Sequence, residues 1–254
     1  MNTVVSNGIK RVLSLPFIAR LPVRVRRGVA AGAHWTFFPW TAYWRGTHEP
    51  EVQALLAGLM DWTGKSVWDL GSHFGLFAVG LGRRVGPTGA VAAFEPHPDN
   101  FARLRLHLSR NHLDWVHPFQ IAASDHTGHE RLLIYKGGAS TTAHLLYDDE
   151  TLHAGIPYFD VELRPLDELV DEGRIRPPDF VKIDVEGHGH RALAGAIRTI
   201  RAHRPVILMG LHSLAEVAGT EELLQPLGYV FEPVKPGAPP DRIGWDYLLR
   251  PAAR

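Results

Sequence analysis

Four clusters in this 254-residue chain place acidic, glycine and imidazole groups at spacings that suit ligand chemistry. The first is Asp69-Leu-Gly71-Ser-His73-Phe74-Gly75, an Asp-x-Gly-x-x-x-Gly run behind the apolar Val67-Trp68. It reads as a buried strand ending at an acid, a turn on two glycines, and a helix over Leu76 to Val85. Glycines let the backbone approach a ligand closely, and a helix N-terminus offers N–H groups to an anionic ligand group. The carboxylate in first position decides which ligand fits: it would repel a dinucleotide pyrophosphate and attract a cation. S-adenosylmethionine (SAM) carries both an ammonium and a sulfonium and meets that requirement. The plainer alternative is an aspartate that caps the turn.

Glu95, twenty residues past Gly75, closes the next expected strand and is within reach of both ribose hydroxyls of an adenosine. NAD enzymes share this element, so it argues for adenosine rather than for SAM alone. An acid preceding the helix that starts at Asp99 is the alternative. In the third cluster, Ala122-Ala123-Ser124-Asp125, the positions of Ala123 and Ser124 suit flanking an adenine ring, and Ser124 and Asp125 are equally good turn formers. The fourth, Val181-Lys182-Ile-Asp184-Val-Glu186-Gly-His188-Gly-His190, sets Asp184 at the carboxyl end of a strand, where open α/β sheets bind ligands. Lys182 and Asp184 on an apolar strand must face a site or each other, because an unpaired buried charge is costly. His212, after the strand Val206–Leu211, can join the same cleft. Asp184 with His188 or His212 is the expected pair for orienting an acceptor and removing its proton. A divalent cation on Asp184, Glu186 and a histidine is an alternative that is not favoured.

The elements that must hold these groups alternate apolar strands with helices. Expected strands are Ser66–Leu70, Ala90–Glu95, Phe119–Ala123, Phe180–Val185 and Val206–Leu211, with helices over Pro50 to Met60, after Gly75, Asp99 to Arg110, Leu166–Asp171, Arg191 to Ala202 and Ala215 to Leu224. Tyr229–Pro233 and Trp245–Leu249 have no helix between them and read as a closing hairpin. The pattern predicts a Rossmann-like α/β fold: a mostly parallel seven-stranded sheet, one antiparallel strand from the C-terminal hairpin, and helices on both faces. Residues 130–164 hold a strand pair, Arg131–Tyr135 and Phe159–Leu163, around the loop Lys136 to Pro157, an expected insertion at the mouth of the site.

Composition narrows the function. The chain has no cysteine, which excludes disulfides, thiolate catalysis and cysteine-ligated zinc. The formal net charge is zero, giving no overall case for nucleic acid. Residues 1–48 carry Lys10, Arg11, Arg20, Arg24, Arg26, Arg27 and Arg45 and no acid, so +7 there is balanced by −7 in the rest. This basic, aromatic segment is expected as an arm or lid on an acidic domain over 49–254, with peripheral membrane contact as a further reading. No apolar run approaches a transmembrane length, and the simplest placement is cytoplasmic.

With Arg45-Gly-Thr-His-Glu-Pro-Glu, Trp68-Asp-Leu-Gly-Ser-His-Phe-Gly, Ala93-Phe-Glu-Pro-His-Pro-Asp-Asn-Phe, Ala122-Ala-Ser-Asp-His-Thr-Gly, Leu166-Asp-Glu-Leu and Val181-Lys-Ile-Asp-Val-Glu-Gly all in order, the chain resembles the FkbM family of SAM-dependent methyltransferases over roughly residues 45–249. The resemblance implies methylation of a hydroxyl on a sugar, glycan or natural-product acceptor. It adds Glu49, His73, Phe74, Pro96 and Asn100 to Asp69, Gly71, Gly75, Glu95, Ala123, Ser124 and Asp184 as cofactor contacts. The family usually has an acid where this chain has Gly189, and often a Glu where it has Gly210. Two other classes compete: an NAD-dependent oxidoreductase, disfavoured by Asp69 and the closing hairpin, and a SAM-binding protein with little or no turnover.

Overall fold

In the computed structural model, residues 21–38, 41–134, 143–145 and 156–252 are described. Lys10, Arg11, Arg20, Pro39, Trp40 and most of the loop Lys136 to Pro157 lie outside them.

The frame is a seven-stranded sheet. Its central strand β3 (Ser66–Leu70) is buried along its whole length and runs parallel to β4 (Ala90–Phe94) on one side and β10 (Phe180–Ile183) on the other. Beyond β4 lies β5 (Val116–Phe119); beyond β10 lies β11 (Val206–Leu211). The closing hairpin, β12 (Tyr229–Pro233) and β13 (Trp245–Pro251), inserts β13 antiparallel between β11 and β12, giving the order β12-β13-β11-β10-β3-β4-β5. Every crossover strand therefore ends on the same edge, where the four clusters gather.

Helices cover both faces. On one lie α1 (Pro50–Gly58) and α2 (Leu76–Val85), sharing a core with Val67, Phe180 and Leu208. On the other, α4 (Leu166–Asp171), α5 (Gly189–Ala194), α6 (Ile197–His203) and α7 (Leu214–Leu224) enclose a core with Trp68, Val181, Ile207 and Met209. α3 (Pro98–Arg110) joins β4 to β5, and its Leu104 and Leu108 complete the first core.

Two expectations are corrected. The third strand of the main sheet is Val116–Phe119, not Phe119–Ala123; a proline at 118 argues against a central strand but is tolerated at the sheet edge that β5 forms. Ala122–Ala123 is instead β6 of a separate four-stranded sheet with β7 (Gly128–Ile134), β8 (Ala143–Leu145) and β9 (Tyr158–Arg164), ordered β6-β9-β7-β8. The helix expected over Arg191 to Ala202 is two helices broken at Gly195. There the backbone packs so closely on Ser124 O that a Cβ would lie 1.9 Å from it. Asp167 then caps the second helix, accepting from Arg198 N, Thr199 N and Thr199 Oγ1 at 3.0, 2.9 and 2.6 Å.

The later part of the segment expected as an arm is folded into the first core. β1 (Pro22–Arg24) and β2 (His34–Thr36) pair antiparallel, and Val25, Val29, Ala30, Ala33 and Trp35 are buried with α2. Gly80 of α2 makes this possible, since a Cβ there would lie 2.7 Å from Val29 Cγ2. His107 of α3 locks the hairpin. Its ring stacks on Trp35 at 3.6 Å, Thr36 N donates to Nε2 at 3.2 Å, and Nδ1 therefore carries the proton given to Phe74 O at 2.7 Å. Burial pushes its pKa down to about 4, so it stays neutral in this role.

Candidate active site

A cavity of about 460 Å³ opens at the carboxyl edge of the sheet, between the turn after β3, the end of β4, the loops after β10 and β11, and the start of β13.

The turn after β3 is built around two left-handed glycines. Gly71 has φ 81°, and a Cβ on it would lie 2.0 Å from Asp184 O; Gly75 has φ 89°, with Leu104 Cδ1 at 2.6 Å. No other residue type brings β3, the loop after β10 and α3 this close. Asp69 is fully buried between these elements, in register beside Lys182, and neither of its carboxylate oxygens has a hydrogen-bond partner. Burial raises its pKa to about 6 against the pull of the Lys182 ammonium.

Glu95 follows β4 and is held in place from three sides. Its Oε2 accepts from His73 N at 2.7 Å, and its Oε1 from His97 N at 2.9 Å and Asn100 Nδ2 at 3.3 Å. Burial nevertheless raises its pKa to about 7. The strained φ of 51° at His73 aims that N–H at Glu95 and sets the ring nitrogen Nδ1 3.0 Å from Tyr43 Oη. Pro96, Asn100, Ile121, Ala122, Ala123 and Leu132 continue the wall, apolar beyond Glu95.

At the other end the charges concentrate. Lys182, only 4% exposed, places Nζ 3.1 Å from Asp184 Oδ2 and 4.7 Å from the Phe77 ring. Burial works against its charge, but Asp184, Glu49 and Asp69 outweigh that and raise its pKa. Burial likewise opposes ionisation of Asp184, yet Lys182 and His212 hold its carboxyl well below the usual range. His212 Nε2 lies 3.2 Å from Asp184 Oδ1 and its Nδ1 3.7 Å from Glu186 Oε2. Burial disfavours the imidazolium, but the Asp184 hydrogen bond and charge push its pKa up to about 9. Glu216 of α7, fully buried, pins the loops by accepting from Gly189 N at 2.8 Å and His212 N at 2.7 Å.

His188 is a different histidine. It lines the cavity, its Nε2 lies 3.0 Å from Ser124 Oγ, and burial pushes it down to about 4. Glu49, at a left-handed φ of 45° before α1, reaches the cavity with Oε1 2.6 Å from His48 Nε2, while its buried Oε2 has no partner. Burial opposes its charge, and Lys182 and His48 together hold its carboxyl below the usual range.

Of the residues named from sequence, Glu49, Gly71, His73, Glu95, Pro96, Asn100, Ala123, Asp184, His188 and His212 line this one cavity. Asp69, Gly75 and Ser124 stand behind its wall as supports, and the Phe74 side chain packs away from it against Phe38 and Tyr43. Tyr43, His48, Lys182, Trp245 and Asp246 line the cavity and were not assigned there from sequence. Lys182 carried a usable signal, a charge on an apolar strand. Trp245 and Asp246 carried none, since only the insertion of β13 beside β11 brings them in.

The two glycines where acids are usual have a physical explanation. A Cβ on Gly189 would lie 2.6 Å from Glu216 Oε1 and 2.5 Å from Met209 Cε, so the Glu216 carboxylate fills that place from α7. A Cβ on Gly210 would meet His212 Nε2 at 3.1 Å and both Asp184 Oδ1 and Asp246 Oδ1 at 3.4 Å. Among the described residues no group of three or more histidine and acidic side chains is arranged to hold a metal ion. Nor, among them, is any helix long and apolar enough to cross a membrane.

The chain is similar to known proteins. A curated relative, the hexuronic acid methyltransferase AglP of Haloferax volcanii, is 29% identical over 142 residues, covering 56% of this chain and 54% of its own. The chain thus spans about half the length of that relative. Among solved structures, a methyltransferase FkbM from Methylobacillus flagellatus superposes with a TM-score of 0.53 at 22% identity, covering 76% of this chain and 45% of that one, a likeness of fold. The methyltransferase FkbM domain itself matches residues 69–233, from the acid of the glycine turn to the end of β12, and the chain belongs to that family of methyltransferases.

Proposed function

We propose that the chain is a SAM-dependent O-methyltransferase acting on a hydroxyl of a sugar, glycan or natural-product scaffold. The observation that carries the reading is the unmet acceptor capacity beside the glycine turn. Glu49 lines the cavity with its buried Oε2 unpartnered, and the acid Asp69 stands just behind the wall. An unpartnered buried acceptor such as Glu49 Oε2 costs about 1–3 kcal/mol unless a donor arrives, and a cationic ligand supplies one. Gly71 and Gly75 let the turn after β3 pack against the loop after β10 and α3, Glu95 is oriented for ribose hydroxyls, and Ile121, Ala123 and Leu132 offer an apolar berth for adenine. The donor set thus fits SAM, which when bound supplies a methyl group already activated by its sulfonium. A dinucleotide pyrophosphate would meet Asp69 instead of a third glycine.

The chain's own work is to align an acceptor and take its proton. His212, protonated at neutral pH and tied to Asp184, suits holding an acceptor oxygen rather than removing its proton. His188 is neutral at the same pH and is a cavity imidazole able to accept a proton. A hydroxyl on a sugar is favoured by the relative's printed activity on hexuronic acid. Tryptophan-quenching titration with SAM, S-adenosylhomocysteine and NADH tests the cofactor: SAM binding at least tenfold tighter than NADH is expected, and the reverse order overturns the reading. Release of S-adenosylhomocysteine with hydroxylated acceptors, and retention of the label on oxygen, tests the reaction.

A further inference from the structure

The acceptor end of the cavity has a charge pattern of its own. Its floor is Gly210, whose missing side chain leaves His212 Nε2, Asp184 Oδ1 and Asp246 Oδ1 converging within 3.4 Å of a single point. Trp245 stands next to Asp246 at the start of β13, and Glu186 lines the same cavity with Oε2 3.7 Å from His212 Nδ1. The described lining contains one lysine, Lys182, and Asp184 engages both it and His212, at 3.1 and 3.2 Å. Glu49 and Glu186 add further negative charge around the same two cations. No arginine lines the cavity among the described residues, and Lys235, 4.5 Å from the Trp245 ring, lies outside the lining.

A carboxylate-bearing acceptor needs a donor that is not already paired, most often a forked guanidinium. Here it would meet the Asp246 and Glu186 carboxylates lining the same partly buried cavity, where like charges repel. An uncharged polyol meets the opposite situation. Its hydroxyls can donate to the Asp246 and Glu186 carboxylates and accept from the His212 N–H, and its C–H face can lie on an indole.

We propose that the space over Gly210 is an acceptor subsite selective for an uncharged polyhydroxy compound over a uronic acid, unlike the hexuronic acid that the relative's name specifies. This rests on the methyltransferase reading, and one experiment separates the two. Protein is first titrated with S-adenosylhomocysteine; failure to bind removes the methyltransferase reading and this inference with it. The loaded protein is then titrated with methyl β-D-glucopyranoside and with methyl β-D-glucopyranosiduronate, followed by saturation-transfer difference NMR. Binding of the neutral glycoside about tenfold or more tighter than the uronate supports the proposal. Equal or tighter binding of the uronate, or binding of neither by the loaded protein, overturns it. Asp246→Asn is expected to narrow the discrimination severalfold, and Trp245→Ala to weaken both glycosides while leaving S-adenosylhomocysteine affinity within about twofold. Unchanged discrimination in Asp246→Asn, with S-adenosylhomocysteine still bound, also counts against the assignment.

Discussion

At the residue scale the site is governed by which carboxylates are charged. Asp69 titrates near pH 6 and Glu95 near pH 7, both raised by burial, so in the ligand-free protein each is partly protonated below neutrality. A cationic ligand favours the ionised form of Asp69, and ribose hydroxyls donate best to an ionised Glu95. Affinity for SAM should therefore rise with pH, by about tenfold or more from pH 5 to pH 8, and then level off. Calorimetric titration across that range checks the slope. Asp69→Asn should weaken binding and remove the part of the slope centred near pH 6. The two histidines should part company as well. His212→Gln removes one of the two cations on Asp184, leaving Lys182, and is expected to lower turnover by about 10²-fold with SAM affinity within about twofold. His188→Asn should also lower turnover and shift the acid limb of the pH–rate profile, which His212→Gln leaves in place, because His188 is the histidine that is neutral at pH 7.

At the element scale, the break between α5 and α6 links the two sheets. Gly195 lets α5 end against Ser124, the residue that also meets His188, and Asp167 restarts the chain as α6. Asp167→Ala leaves the N–H groups of Arg198 and Thr199 without their acceptor and should cost about 1–2 kcal/mol in urea denaturation, with cofactor affinity unchanged. Gly195→Ala puts a methyl carbon within 1.9 Å of a backbone oxygen, and its loss should be larger, about 3 kcal/mol or more. Sequence periodicity showed one helix here because Gly195 and Ala196 do not interrupt an apolar stripe. The signal that splits it is a close approach between segments seventy residues apart, which no local window contains.

At the scale of the whole molecule, the basic N-terminal segment is two things. Residues 1–20 carry Lys10, Arg11 and Arg20. Residues 21–38 form the β1–β2 hairpin, with Val25, Val29 and Trp35 in the core under α2. Burial of side chains of this size contributes about 1.5–3 kcal/mol each, so together they approach the stability of a typical domain. Deletion of residues 1–48 should leave protein without a cooperative thermal transition, whereas deletion of residues 1–20 should retain both the transition and SAM binding. Co-sedimentation of these two forms with anionic vesicles isolates any membrane contact made by the basic residues.

What the sequence determined alone was the frame and half of the site. Alternating apolar strands and amphipathic helices fix a parallel sheet, and Asp69, Gly71, Glu95 and Asp184 announce themselves at strand ends and Gly75 at the start of a helix, where local spacing is the relevant physics. The tertiary structure decided the rest. Glu216 reaches Gly189, 27 residues earlier in the chain, and ties it to His212; Asp246 and Trp245 enter beside Gly210 through the reversed strand β13, and Lys182 is charged because three carboxylates from three elements surround it. Charge states and convergence of side chains depend on distances between segments remote in the chain. Those distances exist only once the sheet order is set, which is why the acceptor side of the site was the part that the sequence left open.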